Sequence, residues 1–197
     1  VFIGERMEEK KGNNIIELVR DFVKKECEKP TSKYGFSPFN DHFKIVVDYA
    51  GSLCDELGGD KEVVLISAWL HDIGSIIYGR KDHHITSCEI AEKILKDFNY
   101  SEEKIEKVKQ CIISHRGSQD IKREIIEAKI LAEADVLSNF DNISGIFRAA
   151  FVYEKLDSEA SKKSVKDKLE RKWHQLHFEN SKALIKPKFD AINLLFG

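Results

Sequence analysis

Four side chains in the first 135 positions are suited to holding a divalent cation: His42, the adjacent pair His71 and Asp72, and Asp135. The pair closes the apolar run Ala68-Trp69-Leu70, and Gly74 follows two residues later. Such a run predicts a buried helix, and a buried imidazole–carboxylate pair is costly unless it is paired or coordinated. The order His, His-Asp, Asp has intervals of 29 residues (42 to 71) and 63 residues (72 to 135). A mixed imidazole and carboxylate set suits Mn, Fe, Co, Ni or Zn; Mg is also kept open. A bound ion of this kind lowers the pKa of its water from ~15.7 toward ~7 and polarises a phosphoryl oxygen. The chemistry expected is therefore attack of metal-bound hydroxide on phosphorus, with His71 and Asp72 as the catalytic pair. Each residue also has a plainer reading. His42 could cap a helix, and Asp135 could be a buried carboxylate paired with a basic residue. The four together favour a common centre.

Those side chains need elements to carry them, and hydrophobic periodicity predicts helices throughout. Ile15, Ile16, Val19, Phe22 and Val23 predict a helix over 13–29, capped by Asn13 or Asn14 and stopped by Pro30. Residues 30–39 read as a loop. A helix over 40–57 places His42 in its first turn. Gly58-Gly59-Asp60 separates it from 61–73, which is apolar nearly all round, as a central helix should be. Residues 74–82 read as a loop, and 82–98 as a helix opening on His83 and His84. Ser101 is the expected cap of a helix ending near His115-Arg116-Gly117. Helices over 122–139 and 143–157 carry Asp135 and Arg148. The basic run from Lys162 to Lys172 is interleaved with acidic and apolar residues, so it reads as a solvated helix face. A short helix over 188–196 follows Pro187.

The bulk numbers bound the answer. The chain has 197 residues, 42% hydrophobic and 34% charged, with a net charge of −2. That fits one all-α domain, 13–157, with C-terminal helices over 158–197 packed on it. There is no basic surplus to attract a nucleic-acid polymer. No apolar run approaches the ~20 residues that span a bilayer, so no membrane partner is expected. Cys27, Cys54, Cys88 and Cys111 make no CxxC pair and read as structural thiols in a cytoplasmic protein. Met7 is the sole methionine and the expected native start, so the first six residues are given no functional weight; 1–12 read as an N-terminal extension. Homodimerisation is left open.

The local wording resembles the HD-domain metal-dependent phosphohydrolase superfamily, in particular a small stand-alone branch. The resemblance rests on Asp41-His42, on Ala68-Trp69-Leu70-His71-Asp72-Ile73-Gly74, and on Leu131-Ala132-Glu133-Ala134-Asp135-Val136-Leu137. It implies a helical bundle with a metal site in its core, ligated by His42, His71, Asp72 and Asp135. It further implies that the segment His83-x-x-x-Ser87-Cys88-Glu89-Ile90-Ala91 and His115 supply a second metal or contact substrate. His83 and His84 compete for that role, and the four-residue spacing to Ser87 favours His83. The same resemblance places Arg148 near substrate phosphates; Arg80, Lys81 and Arg116 are nearby cations that could hold an anion. The implied substrate is a small phosphorylated metabolite, foremost a nucleotide. The chain departs from two branches: it lacks the His-Asp-x-x-Glu-Asp wording of alarmone hydrolases and the GYP signature of cyclic-di-GMP phosphodiesterases. Two other readings remain: a diiron oxygenase-type enzyme using His83 and His115, and a non-catalytic metal- or nucleotide-binding regulatory module.

Overall fold

Helix α3, Lys61–Leu70, lies in the core: its Val63, Val64, Ile66, Ser67, Ala68, Trp69 and Leu70 are all buried. Its start is fixed twice. Asp60 caps it, accepting from the backbone N–H of Glu62 and Val63. The buried Glu127 carboxylate accepts the N–H of Asp60 at 2.9 Å. A fully buried Ile or Leu contributes about 1.5–3 kcal/mol, so a helix with no polar face has only one stable position, the centre.

The computed structural model describes residues 14–116 and 121–196. The proposed extension 1–12 with Met7, the alternative cap Asn13, and Gly117 lie outside the described residues. Among the described residues there is no strand. In chain order α1 is Ile15–Glu28, α2 Lys44–Leu57, α3 as above, α4 Ile73–Tyr78 and α5 His83–Asp97. Then follow α6 Glu102–Ser114, α7 Ile126–Asp141, α8 Ile143–Arg148, α9 Ser158–His174 and α10 Glu179–Phe196. Two π-helical turns, Phe39–Phe43 and Ala149–Tyr153, precede α2 and follow α8. Helix α7 packs on α2, α3 and α6 on one side and on α9 and α10 on the other. No helix of the described residues is long and apolar enough to cross a membrane.

Several expectations need correction. The supposed loop 74–82 begins with α4: Ile73 and Ile76 are buried, and that packing carries a short helix despite Gly74 and Gly79. The helix expected from 40 starts as a π turn, and the one over 143–157 breaks into α8 and a second π turn. Ser101 stands at the start of α6 but makes no side-chain cap. The last helix runs straight through Pro187, held by buried Ile185 and Ile192 on either side of it. Asn14 caps α1 by accepting from Ile16 N–H at 3.0 Å.

Candidate metal centre

The ligand-type side chains sit where helices end, because a helix end frees a side chain from the i±4 packing that fixes its middle. His71 follows α3, and Asp72 stands at the start of α4. An aspartate there would ordinarily accept from the next turn's N–H groups. Asp72 does not; its carboxylate turns into the bundle. His115 ends α6 and His83 opens α5, behind Asp82 in the left-handed region at φ 51°. His42 belongs to the first π turn, a distortion that often marks functional positions. Asp135 alone comes from mid-helix, on α7.

These residues converge on Asp72. His42 Nε2 is 3.0 Å from His71 Nε2, 3.5 Å from Asp72 Oδ2 and 3.7 Å from Asp135 Oδ1. His71 Nε2 is 3.9 Å from Asp72 Oδ2. On the other side of the same carboxylate, His83 Nε2 lies 3.1 Å and His115 Nε2 3.6 Å from Asp72 Oδ1. Two candidate cation clusters result, His42–His71–Asp72 and Asp72–His83–His115, with Asp72 common to both.

The rings are held so that each Nε2 presents a lone pair. His71 Nδ1 meets Ala68 O at 2.8 Å, His83 Nδ1 meets Arg80 O at 2.9 Å, and His115 Nδ1 meets Ile112 O at 2.6 Å. A carbonyl only accepts, so Nδ1 carries the proton of the neutral ring and leaves Nε2 bare in that state. The Ser138 hydroxyl donates to Asp135 O at 2.8 Å, which leaves its oxygen to accept from His42 Nδ1 at 3.3 Å. Histidines that ligate metals are oriented in just this way.

That leaves acceptors facing acceptors: Nε2 against Nε2 at 3.0 Å, and the buried Asp72 Oδ1 with no well-formed hydrogen bond although His83 Nε2 is close by. A positive charge between them, whether a metal ion or a proton on one ring, reconciles opposed lone pairs. The donor set, imidazole with carboxylate, fits a divalent transition metal.

The electrostatics agree. Burial raises the carboxyl of Asp72, but the imidazoles of His71, His115, His42 and His83 more than offset it and hold it well below the carboxylate range. Burial likewise opposes ionisation of Asp135, and Lys172 followed by His42 and His71 overcomes it. Burial pushes His71 down to about 4, against the pull of Asp72. His115 is raised: burial works against its charge, but Asp72 wins.

Over this cluster opens a cavity of about 470 Å³, lined by His42, Asp72, His83, His115 and Asp135 together with six cationic side chains and two further carboxylates, Asp41 and Glu154. Arg80 and Arg116 line one side; Arg148 and, from α9, Lys168, Arg171 and Lys172 line it as well. Lys172 Nζ binds Asp135 Oδ2 at 2.8 Å, so the plain reading of Asp135 as a lysine partner holds beside its place at the cluster. Two candidates are not brought in. His84 is buried but does not line the cavity, because one residue's turn of α5 carries it away from the side on which His83 meets Asp72. Lys81 is exposed in the turn before α5.

The HD domain family matches residues 40–139, just over half of the chain and the stretch that holds all the ligand-type residues described. The chain belongs to the HD domain family. This HD protein is 40% identical to an uncharacterized protein of Clostridium beijerinckii over 89 residues, 44% of the chain; the match spans about half (54%) of that relative's length. Among solved structures it is similar to Bacillus subtilis YpgQ, crystallised in complex with ADP, with a TM-score of 0.68, 19% identity, and 92% and 93% of the two chains covered. It is also similar to a predicted HD superfamily hydrolase from an uncultured Thermotogales bacterium, with a TM-score of 0.52, 23% identity, and 80% and 92% covered. At such identities the structures speak for the fold alone.

Sequence reasoning missed Lys168, Arg171 and Lys172 of this HD protein by assigning their run to solvent. The signal was present. Ser164, Lys168, Arg171, Lys172 and Gln175 recur at helical spacing and all line the cavity, while Ser161, Val165 and Leu169 form the buried side of α9.

Proposed function

We propose that this HD protein is a metal-dependent phosphohydrolase of a small phosphorylated metabolite, foremost a nucleotide. One observation carries the reading: a single ionised carboxylate, Asp72, is shared by two sets of histidines whose bare nitrogens face it, at the floor of a cavity lined by cations. His42, His71, Asp72 and Asp135 would hold one divalent cation, and His83 and His115 with Asp72 a second. Such cations, when bound, supply a water of lowered pKa and a Lewis acid for phosphoryl oxygen.

The chain's own groups do the rest. The backbone carbonyls of Ala68, Arg80 and Ile112 fix three imidazoles in one tautomer, so no reorganisation is needed at the moment of reaction. Lys172 occupies Oδ2 of Asp135 and leaves Oδ1 toward His42. Arginine forks suit the equatorial oxygens of a phosphoryl group, on which charge accumulates as the bond breaks. Arg80, Arg116 and Arg148 line the cavity wall and would do that work. Support also comes from YpgQ, which binds ADP on the same fold.

The test is a panel of nucleotides and sugar phosphates with Mn- or Co-loaded protein, with Asp72→Ala alongside. Phosphate release by the wild type, with metal content and turnover lost together in the variant while helicity persists, is expected. Full metal occupancy with no turnover on any substrate would support the non-catalytic module instead. The completeness of the second set, His83 and His115 on one carboxylate, favours diiron oxygen chemistry as the second reading. Iron-loaded anaerobic protein with a spin-coupled diiron signal, and no phosphatase activity, would select it.

A further inference from the structure

We infer that the cavity face of α9 is an anion subsite that takes the distal phosphates of a polyphosphorylated substrate and so selects chain length. The inference rests on the phosphohydrolase reading but names residues outside the family match, which stops at 139.

The argument is one of unmet charge. Lys172 has its carboxylate, Asp135. Lys168, Arg171 and Arg148 line the same cavity, and none of them forms an ion pair with a carboxylate of the described residues. Elsewhere on this molecule lysines are regularly paired: Lys61 with Asp55, Lys104 with Asp60 and Glu62, Lys109 with Glu92 and Glu106. Lysines such as Lys25, Lys33, Lys93 and Lys129 stand exposed in water; Lys168, Arg171 and Arg148 instead share the wall of one cavity. Like charges left facing one another repel, and a fold keeps them so at a cost. Burial, then Lys172, then Arg80 push the ammonium of Lys168 down to about 8. An anion placed between these groups removes the repulsion.

Geometry gives the subsite a direction. Lys172 is fixed at the ligand cluster by Asp135, and Lys168 lies one turn before it on the same cavity face of α9. Arg171 lies one turn further along the same stripe, and Arg148 comes from α8, against which α9 packs. A phosphoryl group held at the cluster would therefore have Lys168 beside it, and further phosphates would meet Arg171 and Arg148. An orthophosphate presents its oxygens around one phosphorus; a tripolyphosphate chain presents them along its length and meets groups set a helical turn apart. Guanidinium forks are suited to such multi-oxygen anions.

The test uses inorganic anions and needs no turnover. Orthophosphate, pyrophosphate and tripolyphosphate are titrated calorimetrically into the full chain after chelation, at two salt concentrations. Wild type should bind tripolyphosphate at least about tenfold more tightly than orthophosphate, as one or more added charge-assisted contacts would give. Lys168→Met with Arg171→Gln should cut tripolyphosphate affinity about tenfold or more and flatten its salt dependence, with orthophosphate changed less than about threefold. Lys168→Arg with Arg171→Lys, which keeps the charge, should restore most of the loss. Equal wild-type affinity for the three anions overturns the subsite even if the neutral variant fails to fold. So does a folded neutral variant that keeps its preference for tripolyphosphate. Because chelated protein is used, a subsite that binds as expected in a protein without phosphatase activity would sink the enzymatic reading alone. Turnover without chain-length preference would sink the subsite alone.

Discussion

Asp72 gives up a capping role to serve the centre, and the consequences can be measured one side chain at a time. Its carboxylate faces histidines on both of its oxygens, whereas His115 meets only Oδ1. Asp72→Ala should therefore abolish binding of all divalent metal, while His115→Ala should remove about one equivalent and spare the His42 side, the pattern of a two-metal site with one shared ligand. Elemental analysis of the purified variants decides it; equal stoichiometry in the two would contradict a shared carboxylate. Gly74 is a second residue whose identity is forced. A Cβ there would lie 2.2 Å from Thr86 Oγ1, 2.7 Å from His83 O and 2.8 Å from Ser87 N. Its N–H also donates to Ser87 Oγ at 2.9 Å. Gly74→Ala must push α5 off α4, so it should cost about 1–3 kcal/mol by overpacking and weaken metal binding through His83. Denaturant titration and metal competition read the two effects separately.

At the scale of elements, the ligand-bearing helices were legible because their apolar periodicity is strong and their chemistry is written in adjacent residues, His71 and Asp72 above all. What was not legible were pieces whose conformation depends on a neighbour. Helix α4 is six residues long and holds its shape only because Ile73 and Ile76 are buried by the elements around it. The π turn at Phe39–Phe43 has no sequence signature; it exists because Phe39 and Phe43 are both buried and Phe39 stacks on Trp69 at 5.4 Å between ring centres. The stripe on α9 was misassigned because a basic face looks the same whether water or a cavity lies opposite. The tie that places α9 and α10 is Glu133 of α7. Buried in the core, it accepts the N–H groups of His177, at 3.0 Å, and Phe178, at 3.1 Å, and so holds the turn that opens α10. Glu133→Gln should cost about 1.5–3 kcal/mol, the worth of hydrogen bonds to a charged acceptor, with the loss seen in urea melts. The family match ends near this tie, so the tail's function has to be read from structure.

For the whole molecule, the centre sets how stability depends on pH once metal is stripped. His71 has a folded pKa of about 4 against 6.5 unperturbed. Between those values the unfolded chain binds more protons, so stability falls as pH falls, by on the order of 3 kcal/mol across the window. Asp72 acts in the same direction at lower pH: its folded value is depressed, and its contribution is lost as pH falls through that value. His115 has the opposite sign. Its folded pKa is raised, so its contribution is whole below 6.5 and lost as pH climbs through the folded value. Metal-stripped protein should therefore melt highest near pH 6.5, and reloading with Mn or Co should flatten the acid limb, because protons and cation compete for the same nitrogens. Thermal melts from pH 4 to 8 with and without chelator check this; an unchanged acid limb after reloading would count against ligation by His71.

Besides Asp141, which pairs with Lys188, two carboxylates of α7 reach the tail and grip different parts of it. Glu133 holds the amides at the start of α10, and Asp135 holds the ammonium of Lys172 on α9. A chimera that swaps in a foreign C-terminal hairpin must therefore match two handles at once. A donor with a lysine at the right place but a shifted turn would strand one buried anion, and the hybrid would lose its roof before its core.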